Sequence, residues 1–259
     1  MEIRKLNAAR GWTWVKQGYQ LIMRNPLLSV TFALIGSLIM IAVLSIPPIG
    51  PLLAALMMPT MMVGYMRVCR ALEEEEKVLF LHLFAGFRKH SARLLALGGF
   101  LLLGMYISSM VILSLGGSEL RSMIENLQSA NDPQLMMKTI QAAGSNIAFA
   151  FMAGSVLMSV LMLVFQYAPM LVYFNEVPPI AALRASLYGF LGNLVPYTVY
   201  GSIMLAVALV LGALPFGIGL IAFLPLCLTS LYVSYRNIFP FAHELAASAP
   251  VPNNQEIQP

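Results

Sequence analysis

The densest group of chemistry-bearing side chains in this sequence is basic. Arg88, Lys89, His90 and Arg93 fall in one short stretch, with Arg67 and Arg70 upstream of them. Each Lys or Arg held beside an anionic leaflet gains about 1 kcal/mol. Arg67, Arg70, Arg88, Lys89 and Arg93 are therefore a candidate seat for a lipid phosphate headgroup. Ordinary retention of positive charge on the cytosolic side accounts for the same residues. A second group is polar but uncharged: Gln166, Tyr167, Asn175, Tyr197 and Tyr200, set in or beside strongly apolar runs. These are candidates for lining a polar cavity, and interhelical hydrogen bonding is their commoner use.

The constellations that enzymes need are missing. His82, His90 and His243 are scattered, and none pairs with a Cys or carboxylate at ligand spacing, so no metal is expected. Cys69 and Cys227 lie in or beside apolar segments, without metal-type spacing or a disulfide framework. Glu73, Glu74, Glu75 and Glu76 read as a solvated acidic turn, with Lys77 at a stabilising helical spacing from Glu73. Neither a phosphate-cradling glycine loop nor a nucleophile elbow nor a zinc helix is present. No catalytic, cofactor-binding or metal residue is assigned, and no cofactor is implied. Buried proton carriers are missing too, since no Asp, Glu, Lys or His lies between the ends of the apolar runs. That weighs against proton-coupled transport. The 18 methionines are spread through the apolar runs and the loop, where filling irregular cores is their common use.

The elements that must position these residues follow from composition. Hydrophobic residues make up 59% of the chain and charged residues 10%, against about 25% charged in a soluble domain. Such a chain has too little polar surface to cover itself in water. A spanning helix needs about 20 mostly apolar residues, and six runs qualify: 27–46, 50–68, 94–115, 147–174, 194–213 and 216–235. The fold expected is all-α: one polytopic membrane domain of six transmembrane helices. Pro47-Pro48 and Leu214-Pro215 mark tight turns between spans. The fourth run is long enough to tilt or protrude. Residues 1–25 are basic and aromatic without a uniform apolar core, unlike a cleavable signal.

Charge sets the expected orientation. With six spans, 13 of the 15 Lys and Arg residues fall on one side, and only Arg121 and Lys138 on the other. The positive-inside rule then puts both termini in the cytosol. The net charge of +4 is accounted for by topology and requires no nucleic acid. Residues 116–146 become a periplasmic loop, with Met123, Ile124 and Leu127 giving one short helix an apolar face and Asn131-Asp132-Pro133 opening another. The tail, 237–259, is expected to be disordered.

A threefold pattern runs through the chain. An amphipathic stretch precedes each pair of spans: 12–24, 79–93 and 179–193. In the first, Thr13, Lys16, Gln17, Gln20 and Arg24 oppose Trp14, Val15, Gly18, Tyr19, Leu21 and Ile22 at 100° per residue. Trp and Tyr there suit interfacial anchoring. Even-numbered spans carry Pro59, Pro169 and Pro225, and Arg70 and Arg236 each lie eleven residues beyond such a proline. Three hairpins, each led by a cytosolic amphipathic interfacial helix, are the expected arrangement, with any pseudo-symmetry axis along the membrane normal.

Several of these motifs together resemble a family of uncharacterised inner-membrane proteins of Gram-negative bacteria. They are Gly11-Trp12-Thr13-Trp14, Arg24-Asn25-Pro26, the run from Ile46 through Pro51, Leu83-Phe84-Ala85-Gly86-Phe87, and Asn175-Glu176-Val177-Pro178-Pro179 followed by Arg184 and Asn193. The third unit is more loosely similar to membrane segments attached to glycerophosphodiester phosphodiesterases. The resemblance covers nearly the whole chain outside the loop and the tail. It implies the bacterial inner membrane and no activity. Two functions remain open at this level. One is a non-enzymatic component binding membrane lipids, another membrane protein or a second copy of itself, in envelope homeostasis. The other is a transporter or channel for a small neutral or amphipathic solute.

Overall fold

The computed structural model describes residues 3–129, 144–215 and 218–241. All regular structure among them is helical. Helices α1 (Ala9–Arg24), α2 (Pro26–Leu44) and α3 (Gly50–Glu73) come first. A 3-10 turn (Phe80–Phe84) and α4 (Ala85–Arg88) lead into α5 (Ser91–Ser129). Then follow α6 (Ser145–Phe165), α7 (Ala168–Phe174), α8 (Pro179–Leu191), α9 (Leu194–Gly212) and α10 (Ile218–Ile238). Six helical stretches are long and apolar enough to cross a bilayer, α6 and α7 together making one of them. Asn131-Asp132-Pro133, Lys138, Phe216 and the tail from residue 242, with His243, lie outside the described residues.

Local chemistry sets several boundaries. Asn25 caps α2 by accepting a hydrogen bond from the Leu28 N–H at 3.2 Å, and Pro26 occupies the first turn. Gly117, at φ 56, breaks α5. Beyond this kink helix continues to Ser129, where a short loop helix is expected, with Leu120 buried. The fourth span is built of two successive helices, α6 and α7. It breaks at Gln166 and Tyr167 because Pro169 cannot donate to the carbonyl four residues back. Pro59 and Pro225, in contrast, stay inside continuous helices.

The stretch 79–93 is not one amphipathic helix. The tight turn at Phe80–Phe84 and the short α4 are separated from α5 by His90, which sits in the left-handed region at φ 58. Close docking on α3 explains the departure. A Cβ on Gly64 would collide with the Leu83 carbonyl, and one on Gly86 would sit 2.6 Å from the carbonyl of Thr60. The first amphipathic stretch is helical, but Trp14 is no membrane anchor. It is fully buried, while Trp12 and Tyr19 are exposed.

Burial divides the spans into inner and outer ones. Of their most apolar stretches, α3 and α10 bury 61% and 50%, whereas α2, α5 and α9 bury 17%, 22% and 17%. Helix α7 is inner as well, its residues 168–172 all being buried. Leu38, Leu103, Tyr106, Leu205 and Val210 face outward on the outer helices. That surface is stable only against lipid. Packing closes in a ring. The residues 80–88 rest on α3, α8 rests on α6 and α7, and α1 rests on α9 and α10.

Candidate functional site

A cluster of polar and charged side chains forms at the end of the bundle where the N-terminal segment meets the end of α10. Asn193, buried at the start of α9, fixes that segment. Its Oδ1 accepts from the Leu6 N–H at 2.8 Å, and its Nδ2 donates to the carbonyls of Arg4 at 3.0 Å and Gly189 at 2.8 Å. The Arg4 N–H donates to the carbonyl of Ile238 at 3.1 Å. These bonds bring Arg4 to a polar bowl of about 430 Å³, shared with Gln17, Gln20 and Arg24 of α1, Glu73 of α3, and Arg236 and Asn237 of α10. Arg4, Arg24, Arg236 and Glu73 thus share the bowl's lining.

Glu73 ties the bowl together. Its carboxylate accepts from Arg236 at 2.5 Å and from the Tyr232 hydroxyl at 2.6 Å. Arg24 donates to the carbonyls of Leu72 and Glu73, both at 2.8 Å, where it supplements the helix C-terminus, and lies 3.7 Å from Glu75. The acidic run is an exposed turn, as expected, whose carboxylates also pair with arginines, and Glu73 pairs with Arg236.

The five basic headgroup candidates do not form one cluster. Arg67 pairs with Glu76 at 2.6 Å, and this hydrogen bond holds the Glu76 carboxyl below the usual carboxylate range. Arg70 pairs with Glu74 at 2.8 Å and lies over the rings of Phe174 and Phe241, 5.6 Å and 4.5 Å from their centres. Arg236 also lies over Phe241, at 5.0 Å, so the two arginines that follow span prolines meet on one ring. Lys89 binds Glu176 at 2.8 Å and Arg93 donates to the Glu176 carbonyl at 3.1 Å. The Lys89 hydrogen bond and charge hold the Glu176 carboxyl down. Arg88 is exposed. Among the described non-glycine residues, only Glu75, His90 and Glu176 have positive φ, and all three belong to this ion-paired end.

The uncharged candidates are largely drawn into an aromatic core. Tyr167, fully buried, shares a 2.7 Å hydrogen bond with Ser234, and its N–H donates to Ser186 Oγ at 3.1 Å. Asn175 accepts from the Tyr235 hydroxyl and donates to the Pro240 carbonyl at 3.4 Å. Tyr197 and Tyr200 pack edge-on against Trp14, at 5.2 Å and 5.9 Å, and Tyr197 lies 6.2 Å from Tyr167. Four of the five thus hold helices to one another. Gln166 stands apart, on the wall of an apolar groove.

Sequence reasoning missed Arg4, Glu73, Tyr232, Arg236 and Asn193 as site residues. The matched spacing of Arg70 and Arg236 behind prolines was the one signal that pointed to this end.

Six apolar helices with an ion-paired end define a multi-pass α-helical membrane protein. The chain is 34% identical over 214 residues to a probable inner membrane protein of Burkholderia thailandensis, a match that covers 81% of this chain and 77% of that protein. It belongs to that family of inner membrane proteins. No family model matches the chain, and no solved structure matches it.

Proposed function

We propose that this inner membrane protein is a non-enzymatic component that binds anionic lipid headgroups at its cytosolic face. The observation that carries this reading is the bowl, whose lining brings Arg4, Arg24 and Arg236 together beside Glu73. Arg4, Arg24 and Arg236 against the carboxylates of Glu73 and Glu75 leave a positive excess, and Gln17, Gln20 and Asn237 add neutral hydrogen-bonding groups suited to phosphate oxygens. Among the original candidates, Arg88 is exposed and Arg67, Arg70, Lys89 and Arg93 are dispersed over separate partners, whereas three arginines share the bowl's lining. The reading takes the bowl as the headgroup site, with Arg88 as a peripheral attractor.

The same reading puts both termini in the cytosol and treats the chain as three hairpins, each led by an interfacial element. Support comes from the 13-to-2 distribution of Lys and Arg and from the ring packing, in which each leading element rests on the unit before it and α1 closes onto the third. Another membrane protein or a second copy of the chain remains a partner of the same non-enzymatic role.

Native mass spectrometry of the protein in mild detergent tests the headgroup reading. Phosphatidylglycerol should be retained over phosphatidylcholine, with retention weakening as salt rises. The double variant Arg4→Gln/Arg24→Gln should lose about tenfold in affinity, from two charge-assisted contacts. Equal retention of both lipids by the unaltered protein would refute the reading.

A further inference from the structure

A groove of about 710 Å³ opens between α2, α3, α6 and α10. That volume lies within the range of about 300–1,000 Å³ typical of small-molecule sites. Its walls are almost wholly apolar and rich in methionine, with Phe32, Met40, Met58, Met61, Met162 and Leu228 among them, and no charged side chain lines it. Methionine's flexible thioether suits an irregular hydrocarbon guest.

Three side chains supply polar atoms to the wall. The Tyr65 hydroxyl donates to the Ser29 carbonyl at 3.3 Å, and the Ser37 hydroxyl to the Ala33 carbonyl at 2.8 Å. Gln166 differs, because its partly buried amide has no hydrogen-bond partner among the described residues. It sits where α6 breaks before α7. Pro169 has no N–H to offer the carbonyl of Phe165, which also lines the groove. An amide able to donate and accept therefore faces an otherwise greasy wall. A half-buried amide open to an apolar groove and without a protein partner gains from a guest that can hydrogen-bond it.

Depth decides what kind of ligand fits. Gln166 lies eight residues from the end of α7 at Phe174, and Tyr65 eight residues from the end of α3 at Glu73. At the helical rise this is ~12 Å below the ion-paired end. Holding a phosphate at that depth without a cation on the wall is expensive. Hydroxyl and carbonyl groups need only the Gln166 amide.

We infer that this groove binds a neutral lipid, one or more hydrocarbon chains ending in an uncharged hydroxyl or carbonyl group that hydrogen-bonds Gln166. The polar end lies at Gln166 and Tyr65, and the chain runs past Met162 and Met61 toward Met58 and Met40. The site shares no lining residue with the arginine bowl, so it stands or falls independently of the headgroup reading.

Photocrosslinking in phosphatidylcholine nanodiscs tests it, with a photoactivatable diacylglycerol as the probe. Label should concentrate on peptides of α2, α3 and α6 that line the groove. Gly36→Leu fills the space, and a Cβ there meets only Leu83 Cδ1, at 3.7 Å, so the backbone can accept it. This variant should cut labelling about tenfold. Gln166→Leu should cut it about three- to tenfold, the value of one hydrogen bond, with the melting temperature retained. Competition by a long-chain prenol would indicate an isoprenoid source, and competition by unlabelled diacylglycerol alone an acylglycerol source; both support the site. Three results would overturn it. They are labelling unaffected by Gly36→Leu, label spread evenly over the outward faces of α5 and α9, and a photoactivatable phosphatidylglycerol marking the groove as strongly as the neutral probe.

Discussion

Glu73 shows how one side chain can join three parts of a membrane protein. It lies at the end of α3, pairs with Arg236 and Tyr232 of α10, and offers its carbonyl to Arg24 of α1. Removing one partner of such a pair leaves the other without compensation. Glu73→Gln should therefore lower stability by about 2 kcal/mol, and Tyr232→Phe by about 1 kcal/mol. Combined with Arg236→Gln, Glu73→Gln should cost less than the sum of the two single changes, because both remove one interaction. Thermal unfolding in mild detergent checks all three.

Glu176 belongs to the same scale but is tuned by pH. Its folded-state pKa is depressed below the ordinary 4.5, chiefly by the hydrogen bond from Lys89. A depressed carboxyl pKa contributes stability that is complete above the unfolded value and is lost as pH falls through the folded one. Melting temperatures of the unaltered protein and of Glu176→Gln should thus differ at about pH 7 and converge as pH falls below the ordinary carboxylate range. A gap that widened on acidification would contradict this assignment.

Among the elements, the decisive feature is how closely the leading segments approach the spans. Gly64 admits the Leu83 carbonyl against α3, and Gly18 brings α1 to within 2.5 Å of Ser230 Oγ as measured from an added Cβ. Gly99, also helical, has nothing within 4 Å of an added Cβ. Gly64→Ala must push two backbones apart and should cost about 3 kcal/mol or abolish assembly. Gly99→Ala should be neutral or gain up to about 1 kcal/mol, since alanine loses less entropy in a helix. Expression level and melting temperature distinguish the two variants. The apolar pattern of 79–93 on its own fits a helix. The backbone instead tightens and turns at His90 to seat against α3, and that demand comes from the neighbouring helix. Trp14 was misplaced for a related reason. Its position on an apolar face was legible, but Tyr197 and Tyr200, which cover that face, lie far along the chain.

For the whole molecule, the testable statement is orientation. Single cysteines replacing Arg88 and Arg121 should react with a membrane-impermeant maleimide from opposite sides, Arg88→Cys only from the cytosol and Arg121→Cys only from the periplasm. Labelling of both from one side would remove the six-span topology and the cytosolic headgroup site together. The inner and outer ranks of spans also belong to this scale. Ring closure puts α3, α7 and α10 at the centre and leaves α2, α5 and α9 against lipid, although hydropathy is high in both ranks.

Composition and hydropathy alone determined that the chain spans a membrane, how many helices do so and roughly where each lies. They suffice because the cost of moving apolar side chains out of water is nearly additive along the chain and needs no partner. Only the tertiary structure decided that Glu73 meets Arg236, that the basic candidates separate among acidic partners, that Tyr167 and Tyr197 join one aromatic core, and that Gln166 is left facing an apolar groove. Hydrogen bonds and ion pairs act over a few ångströms between residues far apart in the chain, so their partners are set by how the helices come together.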